Sequence, residues 1–106
     1  MAKDAVVVMV TCPSMKEAGR IAEMLVRKKL AACANIIPGI RSIFRWKGKV
    51  ERAKEVLVIA KTDRSKFAIL DKEVRRAHSY DVPEIIAVRI AAGSSDYLKW
   101  IADSVK

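Results

Sequence analysis

Residues 31–62, AACANIIPGIRSIFRWKGKVERAKEVLVIAKT, read as one long β-hairpin, and this constrains the chain more than any other feature. Trp46 and Val50 flank Lys47-Gly48-Lys49, a Gly-bearing reversal between two strand-like runs. Gly48 supplies the positive φ that such a turn needs at little steric cost. About a dozen residues per arm, at ~3.3 Å each, span roughly 40 Å, whereas a usual strand has about 5–6 residues. A chain of 106 residues has a radius of gyration of only ~13 Å. The hairpin therefore overhangs its own domain, and a Trp at its tip is most easily covered by another subunit. Assembly is legible here before any chemistry is.

The length fits one domain, residues 1–106. Hydrophobic residues at 52% and charged residues at 31% fit a globular chain and not a disordered one. No apolar run reaches the roughly 18–20 residues needed to cross a bilayer, so no membrane partner is expected. The N-terminus, MAKDAVVVMVTCPS, runs directly into strand-like sequence, which argues against a cleaved signal peptide. Cys12 and Cys33 lack zinc-type spacing and are expected to stay reduced in the cytoplasm.

The net charge is +9, from 21 basic and 12 acidic residues. A polyanion partner is one reading. A charged, soluble surface is the plainer one. It is favoured because no RNA-binding aromatic motif or DNA-reading helix pair accompanies the charge. A nucleic-acid partner is therefore not the expectation.

Residues 5–11, AVVVMVT, and 56–60, VLVIA, are continuous apolar runs and read as strands buried on both faces. Ser14 with Glu17 three residues later is a capping-box signature. It opens a helix with Ala18, Ile21, Ala22, Leu25 and Val26 on one face. Pro38-Gly39 predicts an edge strand or a kink in the first hairpin arm. Beyond it, Ile40, Ser42, Phe44 and Trp46 share one face, and Arg41, Ile43 and Arg45 the other. Ser65 starts a second helix with Phe67, Leu70, Val74 and Ala77 inward, ending near His78. Residues 84–91 form a last strand. After Gly93-Ser94-Ser95, a helix over residues 96–105 turns Tyr97, Leu98, Ile101 and Ala102 inward.

The order β-α-β-β-α-β plus a C-terminal helix is an α+β, ferredoxin-like split βαβ sandwich. Right-handed crossovers put the first and third strands at the sheet centre. Those are the two continuously apolar runs.

The set KLAACANIIPGI (29–40), WKGKVE (46–51), EVLVIAKT (55–62), H-x-Y-D-V-P-E (78–84) and DYLKW (96–100) resembles the CutA divalent-cation tolerance family, in order and over most of the chain. The resemblance implies a stable ferredoxin-like homotrimer, not an enzyme, linked to tolerance of copper and other divalent ions. The chain also departs from the family. Val10 and Ala77 stand where some bacterial relatives carry a Cys and a second His associated with metal binding. Ser79 replaces the usual Pro, and Arg45 an aromatic.

The only histidine, His78, and the thiol of Cys33 are the metal-ligand candidates, for Cu2+ or another divalent cation held weakly. The plainer readings are a His meeting free carbonyls at a helix end and a Cys filling the core. Cys12, beside a helix start, is a further soft-ligand candidate. Trp46, Lys61, Tyr80 and Glu84 match family positions and read as a pocket between subunits, or as plain interface packing. No Ser-His-Asp set, phosphate loop or H-E-x-x-H helix is present, and with one His a hydrolase reading is poor. Two alternatives to metal tolerance are a trimeric ligand-sensing module with a small ligand at a subunit cleft, and weak nucleic-acid binding through charge.

Overall fold

The computed structural model describes residues 4–106. The expectation about the N-terminus touches Met1 to Lys3, which lie outside the described residues. The elements are β1 (Ala5–Cys12), α1 (Met15–Arg27), β2 (Cys33–Trp46), β3 (Lys49–Asp63), a 3-10 turn (Arg64–Lys66), α2 (Phe67–Ala77), β4 (Ile85–Arg89) and α3 (Ser95–Ser104). The sheet order is β2-β3-β1-β4. The first and third strands are central, as the apolar runs require.

The residues facing the helices carry the core. Val6, Val8, Val10 and Cys12 of β1 and Val56, Val58 and Ala60 of β3 pack against Ala18, Ile21, Ala22 and Leu25 of α1 and Leu70 and Val74 of α2. The opposite face is only half covered: Val7, Met9 and Thr11 alternate as half-buried positions. Burial of β1 on both faces is thus corrected to one full face and one partial face. α3 packs on β1 and β3 and buries Ile101 and Val105. Tyr97, expected inward, is 44% exposed, and so is Val26 of α1 at 42%.

The hairpin arms are 14 and 15 residues long, and the molecule measures 44 × 25 × 23 Å. The reversal is the two-residue turn Lys47-Gly48, closed by the pair Trp46↔Lys49. Both turn residues have positive φ, 50° and 79°, which matches the right-handed twist of the arms. β2 is an edge strand, and it also carries a bulge. Ile37 faces Leu57 while Ile40 faces Glu55, with one extra residue between them at Pro38-Gly39, where Gly39 has φ 77°. Both readings of Pro38 therefore hold.

The bulge sorts the hairpin's side chains onto two surfaces. Before it, Cys33, Asn35 and Ile37 pair with Lys61, Ile59 and Leu57 on the open face. After it, Ile40, Ser42, Phe44 and Trp46 continue that face, opposite Glu55, Ala53, Glu51 and Lys49. Arg41, Ile43 and Arg45, opposite Lys54, Arg52 and Val50, continue the helix-bearing side.

Two caps differ from expectation. Ser14 Oγ accepts from Glu17 N at 3.2 Å, but the Glu17 carboxylate does not complete the capping box. It accepts from Ser79 instead. Ser65 is not the cap of the second helix. Asp63 Oδ2 accepts from Ser65 N at 2.9 Å and from Ser65 Oγ at 2.6 Å, opening a 3-10 turn before α2 begins at Phe67.

Candidate functional site

Three elements converge where the hairpin leaves the body. β1 ends at Cys12, α1 begins beside Glu17, and α2 delivers His78 just past its last turn. One donor atom each from Cys12, Glu17 and His78 lie within 4.8 Å of one another, and all three residues are buried. Placing Glu17 in the first turn of α1 is favourable, because free amides there carry partial positive charge.

The hydrogen bonds fix the imidazole. Tyr80 N donates to His78 Nδ1 at 3.1 Å, so Nε2 carries the proton and donates to Thr11 O at 2.7 Å. Glu17 Oε2 accepts from Ser79 N and Ser79 Oγ, each at 3.1 Å, and lies 3.3 Å from His78 Nδ1. The Tyr80 ring packs against the imidazole with centroids 4.8 Å apart, and its hydroxyl donates to Glu55 Oε2 at 2.8 Å. Glu55 is itself 8% exposed.

Burial sets the protonation of this cluster. It pushes the Cys12 thiol up to about 11, with the negative charges of Glu17 and Glu55 adding to the effect. Burial also raises the Tyr80 phenol to about 12, reinforced by its hydrogen bond to Glu55. The cluster thus holds two neutral acids beside two carboxylates.

His78 meets a carbonyl of β1, not those of its own helix end. Cys33 is half-buried, with its sulfur 3.8 Å from Lys61 Nζ, and Lys61 also donates to Asn35 Oδ1. Cys33 and His78 do not meet within one chain. Cys33 pairs with Lys61 and Cys12 with Val56, on opposite faces and roughly 17 Å apart along β3. Trp46 sits at the hairpin tip, 47% exposed. It is opposite Lys49, and Lys49 to Lys61 is roughly 40 Å along β3. Glu84 is exposed ahead of β4. One chain therefore does not bring Trp46 and Lys61 together. The sequence reading missed Glu17 and Glu55 as site residues. For Glu55 the one clue was its place directly ahead of the apolar run at 56–60, and Glu17 read only as half of a capping box.

The family model described as CutA1 divalent ion tolerance protein matches residues 6–104. A relative from Arabidopsis thaliana, "Protein CutA, chloroplastic", is 44% identical over 96% of this chain and 56% of its own length. The chain thus spans little more than half of that relative. The solved divalent cation tolerance protein from Thermus thermophilus is 44% identical, with a TM-score of 0.93, covering 94% of this chain and 97% of that one. The structure of the periplasmic divalent cation tolerance protein CutA from Archaeoglobus fulgidus is 46% identical, with a TM-score of 0.93, covering 96% of this chain and 99% of that one. Among the described residues, no helix is long and apolar enough to cross a membrane.

Proposed function

This chain belongs to the CutA1 divalent ion tolerance family, and from that premise we propose that it serves cation tolerance, copper included, as a non-enzymatic homotrimer that takes up the ion weakly. The observation that carries the reading is the convergence of thiol, carboxylate and imidazole within 4.8 Å. These donor types suit copper and zinc. His78 is the centre of the site, with Cys12 and Glu17. Cys33 would join only from a neighbouring subunit.

The donors fit by kind and spacing, but each is already engaged. The Cys12 thiol keeps its proton until about pH 11, and His78 Nδ1 accepts from Tyr80 N. An ion must displace both that proton and that hydrogen bond. Affinity is therefore low and rises with pH, because a ligand must be deprotonated to bind.

The assembly rests on the open face. Ile37, Phe44, Trp46, Ile86 and Val88 are between 39% and 48% exposed, and register places them on one continuous surface. Laying this face on a second copy covers the aromatics and the edge of β2. A head-to-tail contact of this kind gives a closed ring when the rotation between successive copies closes, and a trimer is that case for three copies. Trp46 shares a cleft with Lys61, Tyr80 and Glu84 only if it arrives from a neighbour, which is the second reading: a small ligand bound at that cleft. The two free thiols support a reducing, cytoplasmic setting.

Calorimetric titration with Cu(II) and with Zn(II) tests the metal site. Weak binding that strengthens steadily with rising pH is expected, because the ion must displace a Cys12 proton held until about pH 11, and it should be reduced in both Cys12→Ser and His78→Gln. Unchanged binding in both variants removes the site. Light scattering that reports a monomer at micromolar concentration removes the assembly.

A further inference from the structure

The outer half of the hairpin is two-sided in charge as well as in polarity. On the side continuous with the helices, Arg41 faces Lys54, Ile43 faces Arg52 and Arg45 faces Val50. All six are exposed. Glu51 belongs to the opposite side, and the Glu55 carboxylate is buried and taken up by the Tyr80 hydroxyl, so this exposed surface holds four cations and no exposed carboxylate. Among the described residues, none of the four enters an ion pair. Like charges directly opposite each other, as at Arg41 and Lys54, destabilise a strand pair. A hollow of about 220 Å³ opens among Arg41, Ile43, Arg52 and Lys54. The surface is unneutralised, and it lies on a chain of net charge +9.

We propose that this cationic side of the hairpin binds the phosphate backbone of duplex nucleic acid without reading its sequence. The shape fits, because a two-stranded β-ribbon is one of the two elements that the major groove admits. The chemistry fits, because three of the four cations are Arg, whose planar fork grips phosphate oxygens bidentately. The two-sidedness selects the partner. Single strands are held by stacking on aromatics, and a membrane interface takes up Trp, but Phe44 and Trp46 lie on the opposite side. That side docks on a second copy, so exposure of the cations rests on the assembly proposed above.

Each phosphate neutralised contributes about −0.9 to the slope of log affinity against log salt. A single hairpin with three or four contacts gives a slope of about −3 to −4, roughly a hundredfold loss between 50 and 200 mM salt. The test is fluorescence anisotropy of a short labelled DNA duplex with the full chain, across that salt range. Arg41→Gln, Arg45→Gln and Arg52→Gln together are compared with Lys16→Gln, Arg64→Gln and Lys72→Gln, which remove the same charge from the exposed helical side. The hairpin triple should flatten the slope by about one per residue, and the helical triple should leave it in place.

Equal loss in both triples would reduce the effect to net charge and overturn the proposal. So would wild-type binding to phosphatidylserine vesicles as tight as to the duplex. Light scattering on the same samples separates the two readings. An intact trimer without duplex binding sinks this proposal alone, and a monomer that binds duplex sinks the assembly alone. Loss of the trimer in the hairpin triple would make these cations interface residues, which also overturns the proposal.

Discussion

The Tyr80 hydroxyl donates to the buried Glu55 carboxylate at 2.8 Å, tying the turn after α2 to the strand that carries the hairpin. Tyr80→Phe leaves Glu55 buried without this donor. A loss of about 1–3 kcal/mol in denaturant unfolding is expected, the cost of an unmade buried hydrogen bond.

The same cluster makes stability alkaline-sensitive. The folded chain raises the Cys12 thiol from 9.0 to about 11 and the Tyr80 phenol from 10.0 to about 12. The unfolded chain therefore loses these protons first as pH rises. The contribution of both groups is full below about pH 9 and declines through about pH 12. Unfolding midpoints measured across that window should fall, and the fall should be smaller in Cys12→Ala. A flat profile would contradict the assignment of burial as the cause.

Trp46 and Trp100 are nearly equally exposed, at 47% and 45%, but only Trp46 lies on the hairpin. Trp100 rests against Tyr97, with ring centroids 5.5 Å apart. Trp46→Ala should weaken the assembly by ~2 kcal/mol or more, as truncation of an anchoring aromatic does. Trp100→Ala should weaken it less. Equal shifts in subunit dissociation would contradict this.

The hairpin turn holds a lysine at φ 50°, a region costly for residues with a Cβ and tolerated by Asn. Lys47→Asn gives the Asn-Gly pair favoured in such turns. It should stabilise the chain by a few tenths to about 1 kcal/mol. Gly48→Ala, at φ 79°, should destabilise it by about 1 kcal/mol. Thermal unfolding of the two variants reads both signs.

Much of this architecture was legible because it is local. Lys47-Gly48 announces its own turn, Ser14 its own cap, and the runs at 5–11 and 56–60 their central places. Val26 and Tyr97 sat at helical spacing yet remain exposed, because periodicity names a face and not its edges. The cluster was legible only in part. His78 and Cys12 stood out by residue type, but their meeting depends on how the end of β1 sits against the loop after α2. Glu17 read as half of a capping box because that pairing is local. Its actual partner, Ser79, is remote in sequence, and no spacing rule reaches that far.

The extra residue at Pro38-Gly39 acts as an elbow. Pairing on either side of it is regular: Ile37 with Leu57 below, and Ile40 with Glu55 above. Removing Gly39 would therefore spare every pair and straighten the arm, since a bulge bends its strand and increases local twist. The direction in which the hairpin points is thus encoded separately from the contacts that hold it together. A chain shortened there should still fold, yet carry its tip away from the place that the proposed assembly requires.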